Sequence, residues 1–179
     1  MKISPTFALA AVLMMAQPAD AQAVRSEVTA PNGVKVTVYT DEFAERYEYT
    51  APMVQVGDGF VLVGRTDRGG TDGNVRLIGS FVYSGDWRFY DGALFRGGAQ
   101  AEFVSQGRDV GRCSGSRYSR GCTLTESFAI LINSEQLSQH ARNGTLDVQV
   151  RSGRTGESVV FSVPVSYFEA VQQVAEARP

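Results

Sequence analysis

Apolar side chains in this chain recur in short runs with a period of two, and glycine, asparagine, aspartate or proline interrupts them at close intervals. Half-buried strands joined by tight turns have this pattern. Val34, Val36 and Val38 alternate with Lys35, Thr37 and Tyr39. Gly57-Asp58-Gly59 reads as a turn between a short apolar run at 53–56 and a strand at 60–66. Further strands are expected at 75–84, 87–95 and 100–105, whereas 41–49 suits either a short helix or an irregular strand. The stretch 109–126 reads as an arm, a cysteine-bearing tip and a return arm that continues through 128–132. Leu146, Val148 and Val150, followed after a glycine-bounded turn by Val159, Phe161 and Val163, give the clearest hairpin.

Two segments depart from that period. Asn133-Ser134 offers an N-cap for a helix over 135–142, and Asn143-Gly144 offers left-handed residues to end it. Ser166 and Glu169 have capping-box spacing, and Phe168, Val171, Val174 and Ala175 then share one helical face as far as about 177. The expected fold is mainly β: an antiparallel β-sandwich or partly open barrel, with a short helix near 134–143 and a C-terminal helix. A doubly wound parallel sheet needs helical crossovers that 34–132 does not supply.

The N-terminus reads differently. Lys2, the apolar run 7–16 and Ala19-Asp20-Ala21 make residues 1–21 a signal peptide, and the overlapping Ala21-Gln22-Ala23 frame puts cleavage after Ala21 or Ala23. The apolar run is 10 residues long, whereas a membrane-spanning helix needs roughly 20, so no transmembrane anchor is expected after cleavage. The mature protein is expected to be periplasmic or secreted, with an extended lead-in at 22–33 and a single compact domain at 34–179. Removing 21 of 179 residues leaves 158, a length that buries about 70 % of its unfolded surface in one core.

Charge and cysteine content narrow the chemistry. Seventeen basic side chains against nineteen acidic ones give a net charge of -2, which argues against nucleic acid as a partner. Cys113 and Cys122 are the two cysteines, and an oxidising destination makes a disulfide the expectation. It would close a loop of about ten residues, contributing roughly 2.7 kcal/mol in the chain-entropy picture. Their spacing fits neither a redox nor a zinc pattern, and no cofactor is expected.

Arg108, Arg112, Arg117 and Arg120, with Tyr118 among them, form the densest basic cluster, and Asp109 is the one acid from 108 to 121. Guanidinium groups on a rigid tip suit an anionic envelope component or another exported protein. Tyr83, Trp87 and Tyr90 flank the Gly85-Asp86 turn; Trp87 reads as a core anchor, and the three as a platform for sugars or peptides only in a weaker reading. Asp67, Asp72 and Asn74 could offer oxygens to calcium, but their spacing departs from a calcium loop and ordinary turn chemistry accounts for them. His140, the only histidine, falls near a helix end where its cation would meet the negative pole of the dipole.

No nucleophile elbow, metalloprotease or phosphate-loop motif is present, and no catalytic residue is assigned. Glu42, Glu45, Glu48, Asp86, Asp91 and Glu102 leave a carboxylate-based hydrolase open. The leading expectation is an exported non-catalytic binding or accessory domain of the bacterial envelope. The alternatives are a small extracytoplasmic enzyme using convergent carboxylates and a structural envelope component that self-associates through strand edges.

Overall fold

The computed structural model describes residues 23–71, 73–116 and 119–177. Along the chain run β1 (Val24–Thr29), β2 (Lys35–Asp41), β3 (Arg46–Thr50), β4 (Val54–Val56), β5 (Gly59–Arg68), β6 (Arg76–Ser84), β7 (Gly92–Phe95), β8 (Gln100–Ser116) and β9 (Ser119–Leu131). The helix α1 (Ser134–His140), the strands β10 (Thr145–Arg151) and β11 (Ser158–Pro164), and the helix α2 (Val165–Glu176) complete it. Every ladder is antiparallel, and the strand order is β1-β2-β3-β5-β6-β9-β8-β7-β10-β11, with β4 paired to β5 alone. The sheet does not close: β1 and β11 are its two edges.

The sheet nonetheless folds over on itself. Phe81 of β6 and Phe161 of β11 stand five places apart in the strand order, yet their ring centroids are 6.3 Å apart. Inward side chains follow the period of two: Val36 and Val38, Val61 and Val63, Leu77 and Phe81, Phe128 and Ile130, Leu146, Val148 and Val150 are all buried. α2 packs against β2, β3 and β5 from one part of the sheet and β11 from the other, through Phe168, Val171 and Val174. Asn32 Nδ2 ties the β1–β2 turn to the start of α2 by donating to the Ser166 carbonyl at 2.9 Å. Each fully buried Val, Leu or Phe contributes about 1.5–3 kcal/mol, so this one cluster carries the fold. Gly79 lies opposite Phe128, and a Cβ there would be 2.3 Å from the ring, so the ring's seat exists only because residue 79 has no side chain.

Several local expectations are corrected. Residues 24–29, expected as a lead-in, form β1 and pair along their whole length with β2. The ambiguous run 41–49 becomes a turn followed by β3, which pairs on both sides. Residues 87–91 are not a strand: the chain follows an irregular path with Phe89 at φ 57, and β7 begins only at Gly92. Asn133 caps α1 as expected, in a capping box with Gln136. Asn143 and Gly144, at φ 51 and 79, instead turn the chain from Arg142 to Thr145, because α1 has already ended at Ala141 in extended backbone. α2 begins at Val165 directly from β11 with Pro164 as its N-cap and no side-chain cap, so Ser166 lies inside the first turn. The signal segment, Asp72, Arg117 and Tyr118 lie outside the described residues, as does the side chain of Arg120.

Candidate functional site at the root of the arm

β9 pairs with β6 as far as Ser84 opposite Thr123, and with β8 as far as Ser116 opposite Ser119. Beyond Thr123 the hairpin is therefore a two-stranded arm. Cys113 and Cys122 face each other across it and form the expected disulfide, which welds the ribbon where, among the described residues, no third strand supports it. Two register shifts interrupt the β8–β9 ladder, between Ser105 and Gly107 and between Val110 and Cys113. The first changes the phase of β8: Phe103 and Ser105 lie opposite Ile130 and Phe128, but after the bulge it is Arg108 that lies opposite Glu126.

Glu126 occupies an inward position of β9, between Leu124 and Phe128, and is 3 % exposed. Its Oε1 accepts from the backbone amides of Arg88 and Phe89 at 3.1 and 2.9 Å and from the Tyr83 hydroxyl; its Oε2 accepts from the Tyr90 amide at 3.0 Å and Arg108 Nε at 3.2 Å. Three successive amides thus find a carboxylate where a strand would have found carbonyls, and the left-handed Phe89 is what turns all three toward it. Burial pushes the Glu126 carboxyl up, but the Tyr83, Phe89, Arg108 and Tyr90 donors outweigh it and hold it below its ordinary value. Burial and the neighbouring carboxylate push the Tyr83 phenol up to about 12.

On this pinned loop sits a group of cations. Arg108 and Arg154 both lie over the Phe89 ring, their guanidinium carbons 5.0 and 4.2 Å from its centroid. Arg88 lies 4.4 Å over Tyr83 and donates to the Tyr90 hydroxyl at 3.2 Å, which raises its already high pKa. Thr155 Oγ1 donates to the Arg88 carbonyl at 3.0 Å, so the β10–β11 turn that carries Arg154 is bonded to the same loop. Such stacking fixes the planes of the guanidinium groups while leaving their N–H edges to meet a ligand. Arg154 is exposed, and the buried acid of the cluster, Glu126, is already engaged, while Glu157 lies near enough to act on Arg88.

The residues expected from the sequence are distributed unevenly. Arg108 belongs to this patch; Arg112 is exposed farther along the arm. Tyr83 and Tyr90 are 8 % and 2 % exposed and belong to the core, so the three-ring platform is not assembled, and Trp87 is half-buried against that core. Asp67 is buried and engaged by Arg65 Nε and the Gly73 amide, both at 2.7 Å, which withdraws it from any calcium site; Asn74 is exposed. His140 stacks on Phe95 with centroids 4.4 Å apart. Of the carboxylates, Asp91 accepts from the Gly153 amide at 2.8 Å, Glu48 pairs with Arg46, and Glu42, Glu45 and Asp86 are exposed at turns. No group of three metal-ligating side chains forms among the described residues.

Glu102 lines a cleft of about 880 Å³ beside α1 and α2, together with Glu169 and Glu176, apolar Leu131, Leu137 and Phe168, and the buried Arg65, which donates to Gln172 Oε1 at 3.2 Å. Sequence reasoning missed Glu126, Arg88 and Arg154. The signal for Glu126 was present: Leu124, Glu126, Phe128 and Ile130 share one phase of a strand, and an acid in an apolar phase must be matched by donors. No helix among the described residues is long and apolar enough to cross a membrane. Comparison with protein family models, with curated proteins and with solved structures finds no match to this chain.

Proposed function

We propose that this chain is an exported, non-catalytic binding domain that captures an anionic partner of the envelope at the root of its cross-linked arm. One observation carries the reading: Arg108 and Arg154 converge on Phe89, a ring held in place by a loop whose amides are bonded to a buried carboxylate. Cations ordered before the ligand arrives lose little freedom on binding, and phosphate or carboxylate groups accept from guanidinium forks in pairs. The disulfide is compatible with an oxidising, extracytoplasmic setting. The partner classes that fit are an anionic envelope polymer or lipid headgroup and the acidic face of another exported protein.

The test is retention of the protein on phosphocellulose and on its own envelope fraction at low and high salt. Arg154→Ala combined with Arg112→Ala should lose most of the salt-sensitive retention, because neither residue holds the Glu126 network together. Unchanged retention by this double variant overturns the reading. The enzyme reading has its own support in the cleft that gathers Glu102, Glu169 and Glu176; hydrolysis of an envelope polysaccharide that disappears in Glu102→Gln or Glu169→Gln would establish it instead.

A further inference from the structure

The edge strand β1 carries a self-complementary pattern whose charges are held only loosely within the monomer: Arg25 lies 5.7 Å from the centroid of the Tyr39 ring, and Lys35 Nζ is 4.0 Å from Glu27. All six of its residues are exposed, and its outer edge has no strand partner among the described residues. Val24, Ser26 and Val28 lie opposite Thr40, Val38 and Val36, so they continue the core-facing side of the sheet beyond the point where the core covers it. Val24 and Val28 are 63 % and 41 % exposed there. Arg25 and Glu27 occupy the other face.

Hydrogen-bond alternation fixes which backbone groups point outward. The Ala30 amide donates to the Val34 carbonyl at 2.9 Å, so in this antiparallel ladder residues 24, 26 and 28 bond to β2 while Arg25, Glu27 and Thr29 turn their amides and carbonyls to the open edge. A two-fold partner must match that alternation, which restricts the axis to a residue position. An axis through Arg25 or Glu27 sets like charges opposite each other. An axis through Ser26 sets Arg25 against Glu27 twice and Val24 against Val28 twice, with both outward-pointing residues exchanging paired backbone bonds.

We propose that a second copy of this chain docks edge to edge on β1 in that register, giving a closed dimer with one continuous sheet across the two-fold axis. The charge pattern selects the second copy over other strands, and closure by two-fold symmetry removes the exposed edge instead of passing it to a third copy. The dimer would present two arms in one particle, which lets two weak contacts with a repeating anionic surface act together.

Sedimentation velocity of the purified protein over a range of concentrations tests this. The wild type should show a monomer–dimer equilibrium, Arg25→Glu and Glu27→Arg should each weaken it by about tenfold or more, and the exchanged pair Arg25→Glu/Glu27→Arg should restore it. Ser26→Cys should give a disulfide-linked dimer on mild oxidation far faster than Glu27→Cys, since residue 26 meets its own copy across a close, non-bonded pair. Circular dichroism of each single variant checks that the monomer is folded. A protein that stays monomeric at every concentration, or a dimer indifferent to both charge reversals and to the position of the cysteine, overturns the proposal.

Discussion

Among the described residues two carboxylates are buried on the inner face of the sheet at different places, and the chain uses them for different ends. Glu126, on β9, gathers the amides of Arg88, Phe89 and Tyr90 and the side chains of Tyr83 and Arg108. Asp67, on β5, gathers Arg65 and the Gly73 amide. Around Glu126 the network reaches the surface, because the Arg108 side chain is 37 % exposed. Around Asp67 it is closed: the side chains of Arg65 and Asp67 are each 4 % exposed, and α2 meets the pair through Gln172. The same device therefore fastens a surface loop that displays cations in one place and seats a helix in the other. A buried ion pair is weak evidence of stability for its own sake; what each acid supplies here is the fixed position of a segment that strand ladders do not hold.

The largest break in this comparison should come from Glu126→Ala, which strands three amides, a phenol and a guanidinium at once. A loss of about 4 kcal/mol is expected in denaturant unfolding, with rapid exchange of the amides at 88–90. Asp67→Asn should cost somewhat less, about 3 kcal/mol, by removing the charge that accepts from the buried Arg65 and from the Gly73 amide, and should loosen α2 while leaving retention on phosphocellulose intact. If Asp67→Asn abolished retention as fully as Glu126→Ala, the two sites would not be separate devices.

Smaller effects come with pH. The Glu126 carboxyl is held below its ordinary value in the folded state, so its contribution is present above the unfolded carboxylate range and is lost as pH falls through the folded value. Glu126→Gln should flatten the acid side of the stability profile, measured by thermal melts across pH. Tyr83 behaves oppositely: its pKa is pushed up to about 12, so its contribution is complete below about 10 and fades as pH rises through the folded value. Absorbance titration of the phenol against Tyr83→Phe checks this. The smallest effect on folding belongs to Arg154→Ala, expected within about 0.5 kcal/mol of wild type. Its effect should be on retention alone.

The strands whose neighbours alternate were legible, because a side chain's inward or outward phase is written in the residues themselves; β2, β10 and β11 are examples. Residues 87–91 defeated that logic. Trp87 and Phe89 alternate with Arg88 and Tyr90 as a strand would, but the amides find their acceptor in a glutamate distant in sequence, and a remote acceptor leaves no local trace. The start of α2 misled for a related reason: Ser166 and Glu169 are spaced for a cap, while the Val165 amide is already taken by the Gly144 carbonyl at 2.9 Å across the sheet. The arginine cluster was legible only in part, since Arg108 was visible beside Arg112 but Arg154 reaches Phe89 from a different hairpin.

β9 is sandwiched lengthwise, joined to β6 over nine residue pairs on one side and to β8 on the other, and the same strand continues out as half of the arm. A tug on the tip along the strand direction therefore loads those rungs together, in shear, and does not peel them open one after another. The arm is thereby anchored in the middle of the sheet, where β9 is held on both sides at once, and a load on it spreads over many rungs.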